Sequence, residues 1–213
     1  MRPLFIITII AVILTTGCQG NKEKTLMEEN NMTVETILSR RSIRQYQPEQ
    51  IKQSELDIIL NCGINAPSAM NKQPWAIRVI QNQEFLKEIN AGFAAFTIAK
   101  NPEMAERFGN PDNSFYYNAP TFILLGYDTT NKFSLNDCGM LALNMELAAE
   151  SMNIGTCTIG CVIDFLEAPE GADFRAKLNL PENYKLSIGI AAGYKAQSPE
   201  AKPRDPNKIE YIR

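Results

Sequence analysis

The chain has no histidine anywhere in its 213 residues. That absence excludes Ser-His-Asp and Cys-His catalysis and every metal site that needs an imidazole ligand. It also lacks an excess of positive charge: the net charge is −3 and the pI about 5.2, which argues against a nucleic-acid partner. No apolar run is long enough to cross a bilayer; Leu4 to Leu14 spans eleven residues where ~20 are needed. There is no glycine fingerprint of the dinucleotide-binding type, no internal repeat and no low-complexity tract. An enzyme built on such a chain would take its reactive atom from a cofactor.

The composition is that of a globular domain, with 45% apolar and 21% charged residues, and the length suits one domain with a sizeable core. The amino terminus stands apart. Arg2 precedes the Leu4–Leu14 run, and Thr15-Thr16-Gly17-Cys18 follows it. The run has the length of a signal-peptide core. The small residues before Cys18 resemble the bacterial lipobox, which implies cleavage after residue 17 and acylation of Cys18. Residues 18–32 are polar and aperiodic and predict a flexible tether. The folded domain is expected over 33–213, with the protein anchored in the bacterial cell envelope outside the cytoplasm.

Along that domain, Thr33 predicts the cap of a first helix carrying Val34, Ile37 and Leu38 on one face. Ser54 predicts the start of a second, with Asp57 as its capping-box partner, Leu56, Ile59 and Leu60 as its stripe and Gly63 as its stop. Strands are expected at 75–80, 121–126, 156–159 and 186–192, and helices at 84–108, broken at Asn101-Pro102, and at 173–178. The longest helix should run from Leu135 to Met152, capped by Ser134 and apolar at Leu141, Met145, Ala148 and Met152. Residues 109–118 predict a turn-rich loop, and the proline-bearing tail from Lys195 an extended segment. Strands alternating with helices suggest, on pattern alone, a parallel α/β sheet.

Two motifs carry the chemistry. Arg40-Arg41-Ser42-Ile43-Arg44 puts three guanidinium groups and a hydroxyl into five residues, a set suited to a doubly charged phosphate. Pro67-Ser68-Ala69-Met70-Asn71-Lys72-Gln73-Pro74-Trp75 is a polar amide turn running into a strand, with donors and acceptors that suit the edge of a planar heterocycle. Each has a plainer explanation: a solvated helix terminus for the first and an ordinary turn for the second. Together, and with Lys202-Pro203-Arg204 near the carboxyl end, they resemble the FMN-dependent nitroreductase family over 33–213.

The resemblance implies an α+β fold, a three-layer sandwich with a mixed, mostly antiparallel central sheet and a long core helix, in an intertwined homodimer whose carboxyl-terminal extension wraps the partner. It implies FMN as cofactor. Arg40 and Ser42 would face the phosphate and ribityl chain, Arg41 the ribityl side, and Arg44 N1 and O2 of the ring. Lys202 and Arg204 would close the phosphate cage. Asn71 and Gln73 would lie near the flavin, and Pro67, Ser68 and Ala69 would reach the flavin bound by the other subunit. Thr158, Ile159 and Gly160 match the segment that offers a backbone N–H to flavin N5, although many relatives carry tryptophan or proline–glutamate there. Trp75 is expected to pack in the core. No side chain is assigned as catalytic acid or base, and no metal is expected.

The activity so implied is ping-pong transfer of two electrons through FMN from a small donor, with NAD(P)H a candidate, to an electron-poor acceptor such as a nitroaromatic or quinone. Two alternatives stay open: another flavin-dependent redox step, such as dehydrogenation or reductive dehalogenation, and a flavin-binding envelope lipoprotein without turnover. An envelope location permits disulfides among Cys62, Cys138, Cys157 and Cys161, in three complete pairings that sequence does not choose among. All four sit in apolar segments, so buried free thiols are the default expectation.

Overall fold

The computed structural model describes residues 31–110 and 112–213. The signal segment, Cys18 and most of the tether lie outside the described residues. By its contacts the chain divides into Met1–Glu35 and Thr36–Arg213. The first described helix, α1, spans Met32–Ser39. Then follow α2 (Gln53–Ile64), β1 (Trp75–Ile80), α3 (Gln83–Lys100), α4 (Ala105–Phe108), β2 (Thr121–Asp128) and α5 (Ser134–Ser151). The chain closes with β3 (Ile154–Ile159), α6 (Ile163–Leu166), α7 (Ala172–Lys177) and β4 (Tyr184–Tyr194), and an extended tail with one 3-10 turn at Pro206–Lys208.

The four strands form one sheet in the order β1-β2-β4-β3, and every neighbouring pair is antiparallel. The parallel sheet suggested by strand–helix alternation is therefore corrected. Sequence neighbours such as β3 and β4 pair antiparallel, with Ile154 opposite Tyr194 and Ile159 opposite Gly189. A single parallel bridge, Ser42 to Thr156, gives the sheet its mixed character. The α+β sandwich implied by the family resemblance is the observed architecture.

Strand β2 shows why there are three layers. Successive side chains on a strand point to opposite faces. Phe122 and Leu124 join one core cluster with Leu86, Ile89, Phe93 and Phe165 from α3 and α6. Ile123 and Leu125 join the other with Leu56, Ile59, Leu141 and Met145 from α2 and α5. An unbroken apolar run is what a strand needs when both of its faces are covered.

Several boundaries depart from expectation. Ser134 does not cap α5; Phe133 holds the cap position, and the Ser134 hydroxyl is buried without a hydrogen-bond partner among the described residues. Asn131 starts that helix instead, its Oδ1 accepting from Phe133 N. Helix α2 begins at Gln53 with Glu55, not Asp57, reaching back to Lys52 N. Gly63 lies inside α2, where a Cβ would meet Met145 at 2.6 Å, so its role is close packing on α5. All four described cysteines are free, but Cys161 is exposed and Cys62 half-buried, which corrects the expectation of four buried thiols.

Candidate functional site

The arginine-rich segment is clipped to the sheet edge beside β3. Ile43 N donates to Thr156 O at 2.9 Å, and Gln47 N donates to Tyr194 O at 2.9 Å. Tyr46 bonds both Ile43 O, at 2.5 Å, and Ala191 O, at 3.2 Å, through its hydroxyl. Burial pushes that phenol far above its ordinary range, so it stays a neutral donor. Gly155 allows the close approach, because a Cβ there would meet Ile43 at 2.8 Å. A buried Ile43 between half-buried Ser42 and exposed Arg44 then turns the polar residues outward.

The two ends of the domain meet there. Arg40, Arg41, Ser42 and Arg44 line a cavity of about 230 Å³ together with Pro199, Glu200, Lys202 and Arg204. Arg204 donates to Lys202 O at 3.3 Å, and among the described residues neither Lys202 nor Arg204 is ion-paired. Arg40 is different: its Nη1 lies 3.8 Å from Glu146 Oε2, a carboxylate on α5 that is 6% exposed. Glu146 Oε1 accepts from the Thr158 hydroxyl at 2.5 Å. One buried carboxylate thus ties Arg40 to Thr158. Arg41 turns back, its Nη1 donating to Leu38 O at 2.7 Å and Arg40 O at 2.9 Å, so it ties off the last carbonyls of α1 while lining the cavity.

Arg44 joins this cavity to a second of about 480 Å³, whose walls include Arg107, Asn113, Tyr117 and Asn118. Its Nε donates to the Tyr117 hydroxyl at 3.3 Å, and the guanidinium carbon stands 5.7 Å from the Tyr117 ring centroid. That hydrogen bond raises the arginine's pKa further, so it remains a permanent cation.

The Thr158-Ile159-Gly160 segment ends β3. The Ile159 side chain is buried in the core, so only its backbone is free for a ligand. Gly160 is exposed, and a Cβ placed on it would meet nothing within 4 Å, so packing within the chain does not require glycine. Cys157 is buried, and desolvation raises its thiol pKa against the opposing pull of Arg44.

Pro67, Ser68, Ala69, Asn71 and Gln73 are not brought to either cavity. They form a separate turn between α2 and β1, with Met70, Asn71 and Gln73 all at positive φ (55°, 52° and 47°). The turn is held by Asp137 Oδ2, which accepts from Ala69 N at 3.3 Å, and by Ser68 Oγ, which accepts from Gln73 N at 3.0 Å. Trp75 packs against the core cluster shared with α2 and α5, as expected. Glu146, Tyr117 and Arg107 were missed by sequence reasoning. Tyr117, in an aromatic triplet within an otherwise polar loop, and Glu146, flanked by small apolar residues at helical spacing, left traces that could have been followed.

The fold is that of a known family. The nitroreductase family matches residues 37–194, and the chain belongs to that family. A nitroreductase with bound FMN from Bacteroides fragilis shares 30% identity, covers 86% of this chain and 100% of its own, and superposes with a TM-score of 0.78. A nitroreductase with bound FMN from Desulfitobacterium hafniense gives 27% identity, coverage of 86% and 99%, and a TM-score of 0.78. The NADPH-flavin oxidoreductase of Vibrio harveyi is 29% identical over 195 residues, 84% of this chain and 72% of that protein.

Proposed function

We propose that this protein is an FMN-dependent oxidoreductase that passes two electrons from a small donor to an electron-poor acceptor such as a nitroaromatic or quinone. The observation that carries the reading is the convergence of Arg40, Ser42 and Arg44 with Lys202 and Arg204 on one cavity, from opposite ends of the domain. Cations around a small cavity, with Arg44, Lys202 and Arg204 outside any ion pair among the described residues, fit a phosphate dianion. The open side of Gly160 leaves room for a ring against the backbone. The family relatives with bound FMN support the same cofactor.

In this reading Arg40, Ser42, Lys202 and Arg204 hold the phosphate, and Arg41 completes the wall on the ribityl side. Arg44 would face N1 and O2 of the ring, and the backbone of Thr158 to Gly160 would offer an N–H to N5. Bound FMN supplies the chemistry, taking up a hydride equivalent and giving two electrons to the acceptor. The chain's own part is placement and electrostatics: Arg44 offers a fixed positive charge where negative charge accumulates. Pro67 to Ala69 would reach the flavin of a second copy, which accounts for a strained, tied-down turn standing apart from the cavities of its own chain, and Asn71 and Gln73 on the same turn would lie near a flavin.

A homodimer follows from the same reading. Helices α2 and α5 pack together, yet leave Ile58, Ile64, Leu135 and Leu143 exposed at 49%, 47%, 54% and 50%. Ile209, Tyr211 and Ile212 in the tail are exposed at 66%, 77% and 96%. Large apolar groups in such number are what an obligate interface buries.

Acylation of Cys18 would hold the domain at the envelope, away from cytoplasmic NAD(P)H. NAD(P)H would then serve in the assay tube, and another two-electron reductant in the cell. The purified protein should be yellow, release FMN on denaturation, and turn over with NAD(P)H or dithionite and a quinone or nitroaromatic. Release of FAD alone would overturn the cofactor. FMN binding without turnover across donors and acceptors would leave a binding protein.

A further inference from the structure

The loop residues 112–118 hold strained backbone beside the site. Tyr117 and Asn118 follow one another at φ values of 55° and 52°. Asparagine tolerates this left-handed region; a bulky aromatic is an outlier there and persists only where its surroundings over-determine it. They do so here. Tyr117 N donates to Ser114 O at 3.2 Å and Asn118 N to Ser114 Oγ at 2.7 Å. Asn118 Nδ2 donates to Asp112 O at 3.0 Å, and Phe115 N to Asn90 Oδ1 at 3.0 Å. Phe115 and Tyr116 are buried at 3% and 2%, with ring centroids 5.2 Å apart.

The consequence is geometric. Two aromatics of the triplet are buried in the core, and the third, half-buried Tyr117, packs against that same cluster while its hydroxyl and ring reach Arg44. One side chain then contacts the guanidinium twice, through its hydroxyl at 3.3 Å and its ring face at 5.7 Å. Arg44 is exposed and also bonds Ser42 O at 3.4 Å, a length like that to Tyr117; what Tyr117 adds is a second contact through its ring.

We propose that Tyr117 is a positioning residue for Arg44: it holds the guanidinium where it favours the reduced flavin, and so raises the flavin's reduction potential. This rests on the reading that Arg44 faces the ring. A charge fixed in advance stabilises more than one that must be ordered during the reaction, and the loop carries backbone strain to fix it.

The test uses the FMN-loaded full chain and three variants. Tyr117→Phe removes the hydroxyl and keeps the ring. Tyr117→Asn removes both and places a residue suited to positive φ. Arg44→Ala removes the charge itself. Redox titration should show reduced FMN weakened relative to oxidised FMN by roughly threefold in Tyr117→Phe, a fall of ~14 mV for two electrons, and by about tenfold, ~30 mV, in Tyr117→Asn. Arg44→Ala should fall at least as far. The apo form of Tyr117→Asn should melt no lower than the parent, because relief of strain offsets the lost ring contacts. A lower melting temperature with an unchanged potential would make Tyr117 merely structural and overturn the proposal. Unchanged potentials in both Tyr117 variants, with a fall in Arg44→Ala, would overturn it while leaving the Arg44 reading intact. An unchanged potential in Arg44→Ala would overturn both.

Discussion

Arg40 and Arg204 line the same cavity, yet truncating them should have separable effects. A charge-assisted hydrogen bond is worth roughly 1.5–3 kcal/mol, so losing either guanidinium should weaken FMN by about ten- to a hundredfold. Riboflavin, which lacks the phosphate, should bind both variants as it binds the parent. The difference lies beneath the cavity. Arg204 has no carboxylate partner among the described residues, so Arg204→Ala should leave the apo melting temperature unchanged. Arg40 faces Glu146 at 3.8 Å, with side chains 22% and 7% exposed. Arg40→Ala strands that carboxylate with the Thr158 hydroxyl as its remaining partner. Breaking a fully buried pair costs about 3–5 kcal/mol; with a long contact and a partly exposed arginine, about 1–3 kcal/mol is expected here. In a domain of this size that is a fall of roughly 3–10 °C in Tm. Adding Glu146→Gln to Arg40→Ala should restore most of the loss, since an amide oxygen still accepts from Thr158 without a buried charge. Flavin-fluorescence titrations with FMN and riboflavin, alongside thermal melts of the apo proteins, decide the matter. Equal weakening of riboflavin and FMN would refute the phosphate assignment. A Tm loss in Arg204→Ala as large as in Arg40→Ala would refute the role given to Glu146.

Three further outcomes are expected. Cys18→Ala should release the protein from membranes, read by partition between membrane and soluble fractions; unchanged partition would refute the anchor. Light scattering at micromolar concentration should report a dimer, and Leu143→Asp, on the exposed face of α5, should shift it toward monomer with loss of bound flavin; a flavin-loaded monomer would refute the shared site. Folding stability should fall as pH rises from about 9 toward 12, because burial pushes the Cys138 thiol up to about 12 from 9.0. The folded state keeps a proton that the unfolded state releases, so the stabilisation is complete below the unfolded pKa and lost as pH climbs through the folded one. Cys138→Ala should flatten that alkaline limb in denaturant titrations, and an unaltered limb would refute the assignment.

How much of this was legible depended on whether a residue's chemistry stood out from its neighbours. The charges of Arg40 to Arg44 and Lys202 to Arg204 were dense enough to mark a candidate phosphate site without a structure, and the fold brings them to one cavity. Glu146 was not, because a glutamate on a long helix reads as a solvated one. Its burial comes from α5 lying between β3 and α2, which buries Cys138, Ala142 and Ala149 alongside the Leu141 and Met145 stripe. Small apolar residues at helical spacing on both sides of that glutamate were the available signal. Tyr117 was hidden for another reason: its orientation is set by a positive φ that sequence does not announce for an aromatic. Strand existence was readable from apolar runs, but strand direction was not. Pairing such as β1-β2-β4 depends on which edges meet after collapse, and the period of the hydrophobic pattern is the same for parallel and antiparallel neighbours.

The arrangement also explains how one short motif lines two cavities. Ser42 bridges Thr156 in parallel, so the segment onward to Arg44 runs in the direction of β3, toward Thr158 and Gly160. Four residues of extended chain cover up to ~13 Å, which separates Arg40, at the cage with Lys202 and Arg204, from Arg44, at the junction with the second cavity. Changing the spacing of these residues by one would turn Ile43 outward and bury an arginine, since alternate side chains point to opposite sides. Tyr46, bonded to Ile43 O and Ala191 O, resists that slip. The register of a single bridge therefore decides both which residues line the cationic cavity and which cation Tyr117 contacts.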